Sequence, residues 1–170
     1  MLKEDKGYRM KRESLPTWQE LEKHKQVIPE IHPAAVIAML EIKQAGEEIQ
    51  ESILSVLQQQ YHLSEGKFCT LIVLHQHPEG ITPSALAEKV GVARATISTM
   101  LQRLVRSGEA VVEARAEDGR GKLVRLTSQG RAFMQEVLPP HYLRVSKLME
   151  KLTQAEQEEL IRLLRKLAGD

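Results

Sequence analysis

The chain has 170 residues, of which 42% are hydrophobic and 28% charged, and its formal net charge is +1. A chain of this length fits one domain, or one domain with arms, and its apolar content is sufficient for a hydrophobic core. The near-zero net charge gives no argument for nucleic-acid binding by the chain as a whole, and the single cysteine excludes an intramolecular disulfide.

No segment has the character of a targeting signal or a membrane span. Residues 1–13 are of mixed charge and lack the apolar stretch of a signal peptide, and no apolar run approaches roughly 18 residues. We therefore expect a soluble, cytoplasmic protein in a reducing compartment, with no membrane partner.

The N-terminal part predicts a short helix followed by a long one. Thr17 and Glu20 have the spacing of a capping box, which places the short helix within residues 14–27. Pro33 is suited to the first turn of a second helix, whose apolar residues recur at helical spacing to about Gln60. A helix of that length needs a partner along much of its surface.

Three shorter helices and a hairpin are predicted next. Ser64 caps the first helix, Thr82 caps the second, and a third runs from about Ala93 to Ser107. Two strand-like runs, 110–115 and 122–126, flank a polar loop that contains glycine, which is typical of a β-hairpin.

The remaining chain predicts two more helices. Thr127 begins the first, and Pro139 and Pro140 are expected to kink or split it near its middle. Thr153 and Glu156 form a second capping box at the start of a last helix, which carries an apolar stripe. The apolar stripes of the helices at 34–60 and 128–168 exceed what one small core needs, so we expect both to form a homodimer interface.

The predicted fold is mainly α with a small β-hairpin, in the layout of a winged helix-turn-helix with N- and C-terminal dimerisation helices. Its expected segments are the N-terminal arm with a short helix (1–33), a dimerisation helix (34–62), the winged helix-turn-helix DNA-binding domain (63–127) and the C-terminal dimerisation helices (128–170).

A recognition helix must pack one face on its own domain and offer the other to the major groove. The expected packed face comprises Ile97, Met100, Leu101, Leu104 and Val105. The face expected to contact DNA comprises Ala95, Thr96, Ser98, Thr99, Gln102, Arg103 and Arg106. Small residues permit close approach, hydroxyls and glutamine can bond base edges, and arginine can reach phosphate or guanine.

The local charge favours the same surface. Residues 94–131 contain eight basic and four acidic residues, so this segment carries a net charge of +4. The rest of the chain is correspondingly acidic. Positive charge therefore concentrates where a duplex would lie, and Arg115 and Lys122 at the hairpin join the expected DNA-binding residues.

Four stretches in order resemble the MarR family of bacterial transcription regulators: LSEGKFCTLIVL, TPSALAEKVGVARATISTMLQRLVRSG, EDGRG and VRLTSQGRAF. The resemblance implies that Arg120 enters the minor groove, that Asp118 fixes the wing tip, and that Arg94 and Arg103 are basic positions of the recognition helix. Thr82 and Ser84, at a helix N-terminus, have backbone N–H groups that can hold a phosphate.

The sequence also departs from the family pattern. Thr99 stands where the family often has arginine, Ala93 where it often has a polar cap, and Glu109 where it usually has leucine. These departures concern the target sequence and affinity more than the fold.

The resemblance implies a homodimer that binds a pseudo-palindromic operator, usually as a repressor, and is released by a small aromatic or anionic effector. The alternatives are a winged-helix protein-interaction module and a redox sensor that uses Cys69, although a buried, inert thiol is the favoured interpretation. The six histidines show no metal-ligand spacing, no catalytic motif is present, and we expect neither a cofactor nor an enzyme activity.

Overall fold

The computed structural model describes residues 11–114 and 121–169, and the chain forms two compact units, 1–52 and 53–170. The elements in chain order are helices α1 (Trp18–His24), α2 (Pro33–Tyr61), α3 (Glu65–His75), α4 (Pro83–Val90) and α5 (Arg94–Arg106), strands β1 (Ala110–Ala114) and β2 (Lys122–Leu126), and helices α6 (Ser128–Met149) and α7 (Gln154–Ala168). The predicted class, mainly α with one hairpin, is confirmed. Among these helices, none is both long enough and apolar enough to cross a bilayer.

The first unit contains the predicted capping box, at the start of α1. The Glu20 N–H donates to Thr17 Oγ1 at 3.3 Å, and the Thr17 N–H donates to the Glu20 carboxylate at 2.7 Å. The bonds that the Glu20 carboxylate accepts from Thr17 lower its pKa, because they stabilise its charged form. Arg12, in a short 3-10 turn, lies 3.1 Å from the Glu41 carboxylate and so fastens the chain before α1 to α2.

The second unit contains the main core, to which helices α3 to α6 and the hairpin all contribute. Fully buried side chains define its centre: Leu57, Leu63, Leu71, Leu74, Leu86, Ile97, Leu104, Val124, Met134 and Val137. The hydroxyls of Ser64 and Thr82 cap α3 and α4 as predicted, and the hydroxyl of Thr127 caps α6. Each accepts a hydrogen bond from the backbone N–H three residues on.

Pro139 and Pro140 were expected to kink or split the sixth helix; the split is wrong, because α6 continues from Ser128 to Met149 with both prolines inside it, and the kink stays a prediction. Each proline removes only one backbone donor. On one side of the prolines, Val137 and Leu138 are buried, and on the other His141 is buried. We attribute the continuity to this packing on the core, which outweighs two missing hydrogen bonds.

Candidate nucleic-acid interface

Helix α5 has the two faces that the sequence predicts for a recognition helix. Ile97, Leu101 and Leu104 are buried, and α5 packs against α4 and β1. Met100 is half-buried. Val105 was expected on the packed face but is 43% exposed, because its position lies at the edge of the apolar stripe and projects beyond the core.

The other face of α5 is open to solvent. All eight residues expected to contact DNA along it are exposed: Arg94, Ala95, Thr96, Ser98, Thr99, Gln102, Arg103 and Arg106. The Thr99 hydroxyl donates to the Ala95 carbonyl at 3.2 Å, so a DNA contact from Thr99 would use its remaining lone pairs. Ala93 provides no side-chain cap, which leaves the first N–H groups of α5 without that partner.

Thr82 and Ser84, both predicted to contact DNA, lie at the N-terminus of α4. The Ala85 N–H donates to Thr82 Oγ1 at 3.3 Å, and Pro83 occupies the first turn. Ser84 is exposed and Thr82 half-buried. The Thr82 hydroxyl therefore serves the helix itself, while Ser84 remains available at the positive end of the helix dipole.

The hairpin is held in a fixed register on the domain. Val112 pairs with Val124 in the antiparallel ladder, and Ile81, just before α4, forms a bridge to Val124 on its other side. Lys122 is exposed at the far end of β2. Arg115, Asp118 and Arg120 lie outside the described residues, so their roles stay predictions.

Some basic side chains of this region form ion pairs or hydrogen bonds within the domain, and others do not. The Arg125 guanidinium pairs with Glu113 across the hairpin, and Arg131 donates to the Leu126 carbonyl at 2.8 Å. Within the described residues, no ion pair involves the exposed side chains of Arg94, Arg103, Arg106 and Lys122. Among the basic residues of this region, the side chains left without an ionic or hydrogen-bonding partner in the described residues therefore lie on α5 and β2.

A polar cluster that sequence reasoning missed lies where α5 meets α3. Lys67 Nζ is 2.8 Å from the Glu109 carboxylate, and the Ser107 hydroxyl donates to the same carboxylate at 2.6 Å. Glu109 is buried although its residue type is normally exposed. The sequence shows that Glu109 stands where the family usually has leucine. It does not show that Lys67, 42 positions earlier in the chain, is the ion-pair partner of Glu109.

An adjacent cleft of about 260 Å³ is lined by Ser64, Lys67, Met100, Arg103, Leu104 and Ser107. Two cationic side chains, two hydroxyls and two apolar residues thus share one concave surface. That combination suits a small anion with an apolar body.

A second missed cluster surrounds His141. Its ring packs edge-on against the ring of Phe68, with 4.8 Å between the ring centroids. His141 Nδ1 and Arg144 Nη1 are buried and have no hydrogen-bond partner among the described residues. Burial lowers the pKa of His141, and the nearby Arg144 charge lowers it further. His141 is therefore neutral at pH 7.

The chemistry of Cys69 disfavours the redox alternative. Cys69 is half-buried on α3, and burial, followed by the Glu65 carboxylate, raises the pKa of its thiol. A thiol with a raised pKa is a poor nucleophile at pH 7. In the described part of the chain, no three His, Cys, Asp or Glu side chains group as metal ligands would.

The helix order, the half-exposed α5 and the attached hairpin define a winged helix-turn-helix protein. Residues 63–121 match the sequence model described as the MarR family. Over this segment the chain is similar to the MarR family.

Three comparisons give the extent of the similarity. HTH-type transcriptional repressor YetL of Bacillus subtilis (strain 168) is 33% identical over 103 residues, which cover 60% of this chain and 62% of YetL. The S. aureus MepR–DNA complex aligns with TM-score 0.64 at 21% identity, over 82% of this chain and 98% of MepR. NadR in complex with 4-hydroxyphenylacetate aligns with TM-score 0.62 at 22% identity, over 76% and 90%.

Proposed function

We propose that this protein is a sequence-specific transcriptional regulator, acting as a repressor, that binds a pseudo-palindromic operator as a homodimer. The observation that carries the proposal is α5, whose apolar side is buried while its polar and basic side is exposed along the whole helix. Two similar proteins support it: YetL is described as a transcriptional repressor, and MepR was solved in complex with DNA. Such a regulator needs no enzyme activity and works in the cytoplasm, where a bacterial chromosome lies.

The chemistry of the exposed face fits a DNA groove. Ala95 and Ser98 are small enough for close approach of the helix backbone to the bases. Gln102 can form paired bonds with adenine, and Arg103 and Arg106 can reach guanine or phosphate. Arg120, carried over by its position in the family pattern, would add a minor-groove contact from the wing.

The homodimer proposal rests on apolar surface that the monomer leaves exposed. In α7 this surface comprises Leu160, Ile161, Leu163, Leu164 and Leu167, and in α2 it comprises Met39, Ile42 and Ile49. An amphipathic helix with such a face normally buries it against a partner. A second copy related by a two-fold axis would place two α5 helices about one turn of DNA apart.

Regulation by a small anionic or aromatic effector is the finer part of the proposal. The cleft places the guanidinium of Arg103, which pairs with no carboxylate among the described residues, next to apolar surface, and NadR is a structural neighbour solved with 4-hydroxyphenylacetate. A ligand that binds one arrangement of the domain better than another shifts the population. Benzoate as a probe is expected to raise the melting temperature and to release bound duplex.

The salt dependence of binding to random duplex DNA tests the proposal. Neutralising several phosphates releases counterions, so affinity is expected to fall steeply between about 50 and 200 mM salt. Arg120→Ala is expected to weaken binding to most sequences and to reduce that slope by about one. Absence of binding even at low salt would favour the protein-interaction module instead.

Gln102→Ala is expected to change sequence preference rather than general affinity. If Gln102 bonds a base, its removal costs roughly 1–3 kcal/mol at the base pair concerned. The measurement is selection from a random duplex pool by each variant. Gln76→Ala, an exposed glutamine at the end of α3, is the control and is expected to select the wild-type sequence. The same preference in both variants would remove Gln102 from the interface.

A further inference from the structure

The C-terminal end of α5 is fastened by one buried carboxylate. Glu109 is only 7% exposed, although it follows the helix by just three residues. One of its carboxylate oxygens lies 2.8 Å from Lys67 Nζ, and the other accepts the Ser107 hydroxyl at 2.6 Å. Both oxygens therefore have partners, on the first turn of α3 and at the end of α5.

The backbone of the same residue makes two further connections. The Glu109 N–H donates to the Leu104 carbonyl at 2.9 Å, and the Glu109 carbonyl accepts the Thr127 N–H at 3.1 Å. The Thr127 hydroxyl also donates to the Gly108 carbonyl at 2.6 Å. Glu109 thus joins the ends of three helices, α3, α5 and α6, at one point.

We propose that Glu109 is a positioning residue that sets the direction of α5 for DNA binding, by holding the end of that helix on Lys67. The inference rests on the proposed DNA-binding function and deepens it. Glu109 contacts no DNA itself. It acts through Arg103 and Arg106, which lie on the turn of α5 that Ser107 ends.

The physical reason is the directionality of an ion pair whose carboxylate is buried, while the Lys67 side chain is half-buried. An apolar residue at this position, such as the leucine usual in the family, can slide against its neighbours at little cost. A carboxylate cannot, because moving α5 away from α3 would leave a buried charge without its partner. The pair therefore favours one arrangement of α5 over neighbouring ones of similar packing.

The first test compares specific with random DNA. The probes are a duplex selected from a random pool by the wild-type protein and an unselected duplex of equal length. Glu109→Gln retains the side-chain size and an acceptor for Ser107 but removes the ion pair. We expect about a tenfold loss of affinity for the selected duplex and less than about a twofold change for the random one.

Glu113→Gln is the matched control, because the ion pair of Glu113 with Arg125 joins the two strands of the hairpin and does not hold α5. Both substitutions remove one negative charge, which by itself raises affinity for DNA. A loss of specific affinity in Glu109→Gln alone therefore cannot come from net charge. Lys67→Met is expected to reproduce the loss, and the double variant with Glu109→Gln is expected to bind no more weakly than either single variant.

The second test needs no DNA. Hydrogen exchange of the Ser107 and Glu109 amides in the free protein is expected to accelerate about tenfold in Glu109→Gln, with core amides of α3 unchanged. Circular dichroism verifies that each variant is folded; if Glu109→Gln is not, Lys67→Met serves both measurements.

The outcomes separate the two proposals. Wild-type protein that binds no duplex at low salt contradicts the proposed function, whereas exchange at the end of α5 still reports on Glu109. Unchanged exchange together with wild-type affinity in Glu109→Gln would overturn the positioning role. A parallel loss on selected and random DNA would overturn it as well, since general weakening is not misplacement.

Discussion

Leu160→Glu is expected to convert the protein to a monomer and to weaken operator binding by roughly 100-fold or more. Leu160 lies on the apolar face of α7 together with Leu163, Leu164 and Leu167, all at least 36% exposed in the single chain. A carboxylate placed on that face would have to be desolvated in the dimer without a partner. Two linked recognition helices bind far more tightly than one, so loss of the dimer removes most of the affinity.

Sedimentation and titration of a selected duplex measure the two effects on the same samples. Arg162→Gln is the control, because it lowers the positive charge of α7 by the same one unit from the opposite side of the helix. Within the described part of the chain, the ion pair of Arg162 is the exposed one with Glu159, so its replacement is expected to leave both assembly and affinity unchanged. A dimeric Leu160→Glu protein would show that α7 is not the dimer interface.

Gly130→Ala is expected to destabilise the fold by roughly 2–4 kcal/mol, a drop in melting temperature of roughly 5–15 °C. A β-carbon at Gly130 would lie 2.0 Å from the Glu109 carbonyl oxygen and 3.2 Å from Leu126 Cδ2. The nearer atom belongs to the backbone and cannot rotate aside. The first turn of α6 would therefore have to move away from the end of α5.

Gly46→Ala separates this clash from the general effect of replacing glycine in a helix. Gly46 lies exposed inside α2, and a β-carbon there would meet no atom of the described residues within 4 Å, apart from its own helix backbone and chain neighbours. Alanine at such a position is expected to stabilise the helix by roughly 0.5–1 kcal/mol. Gly46 lies between Ile42 and Ile49 on the face of α2 proposed for the dimer, so both variants are melted in the monomeric Leu160→Glu background. Equal melting temperatures there would show that α6 can shift freely at Gly130.

Gly130 and Glu109 contact each other where the start of α6 meets the end of α5. The Glu109 carbonyl that excludes a side chain at Gly130 also accepts the Thr127 N–H. The start of α6 is therefore in direct contact with the end of α5. We therefore expect a displacement of the start of α6 to displace the end of α5 as well.

Local features of the fold were predictable because they depend on residues close in the chain. Thr17 with Glu20, and Thr153 with Glu156, form the expected capping boxes, and β2 spans the expected residues. The exposed face of α5 also followed from periodicity, since a helix repeats every 3.6 residues. Val105 was misplaced because periodicity gives the centre of a buried stripe more reliably than its edges.

The order of elements, most of their caps and the solvent-exposed face of α5 were predictable from the sequence alone, since each follows from the residue pattern within one helix or turn. The tertiary structure decided the rest. It kept α6 whole through Pro139 and Pro140, and it brought Lys67 to Glu109 and His141 to Phe68. Those pairings depend on how distant segments pack, and packing energies outweigh the local preference of a proline or a glutamate.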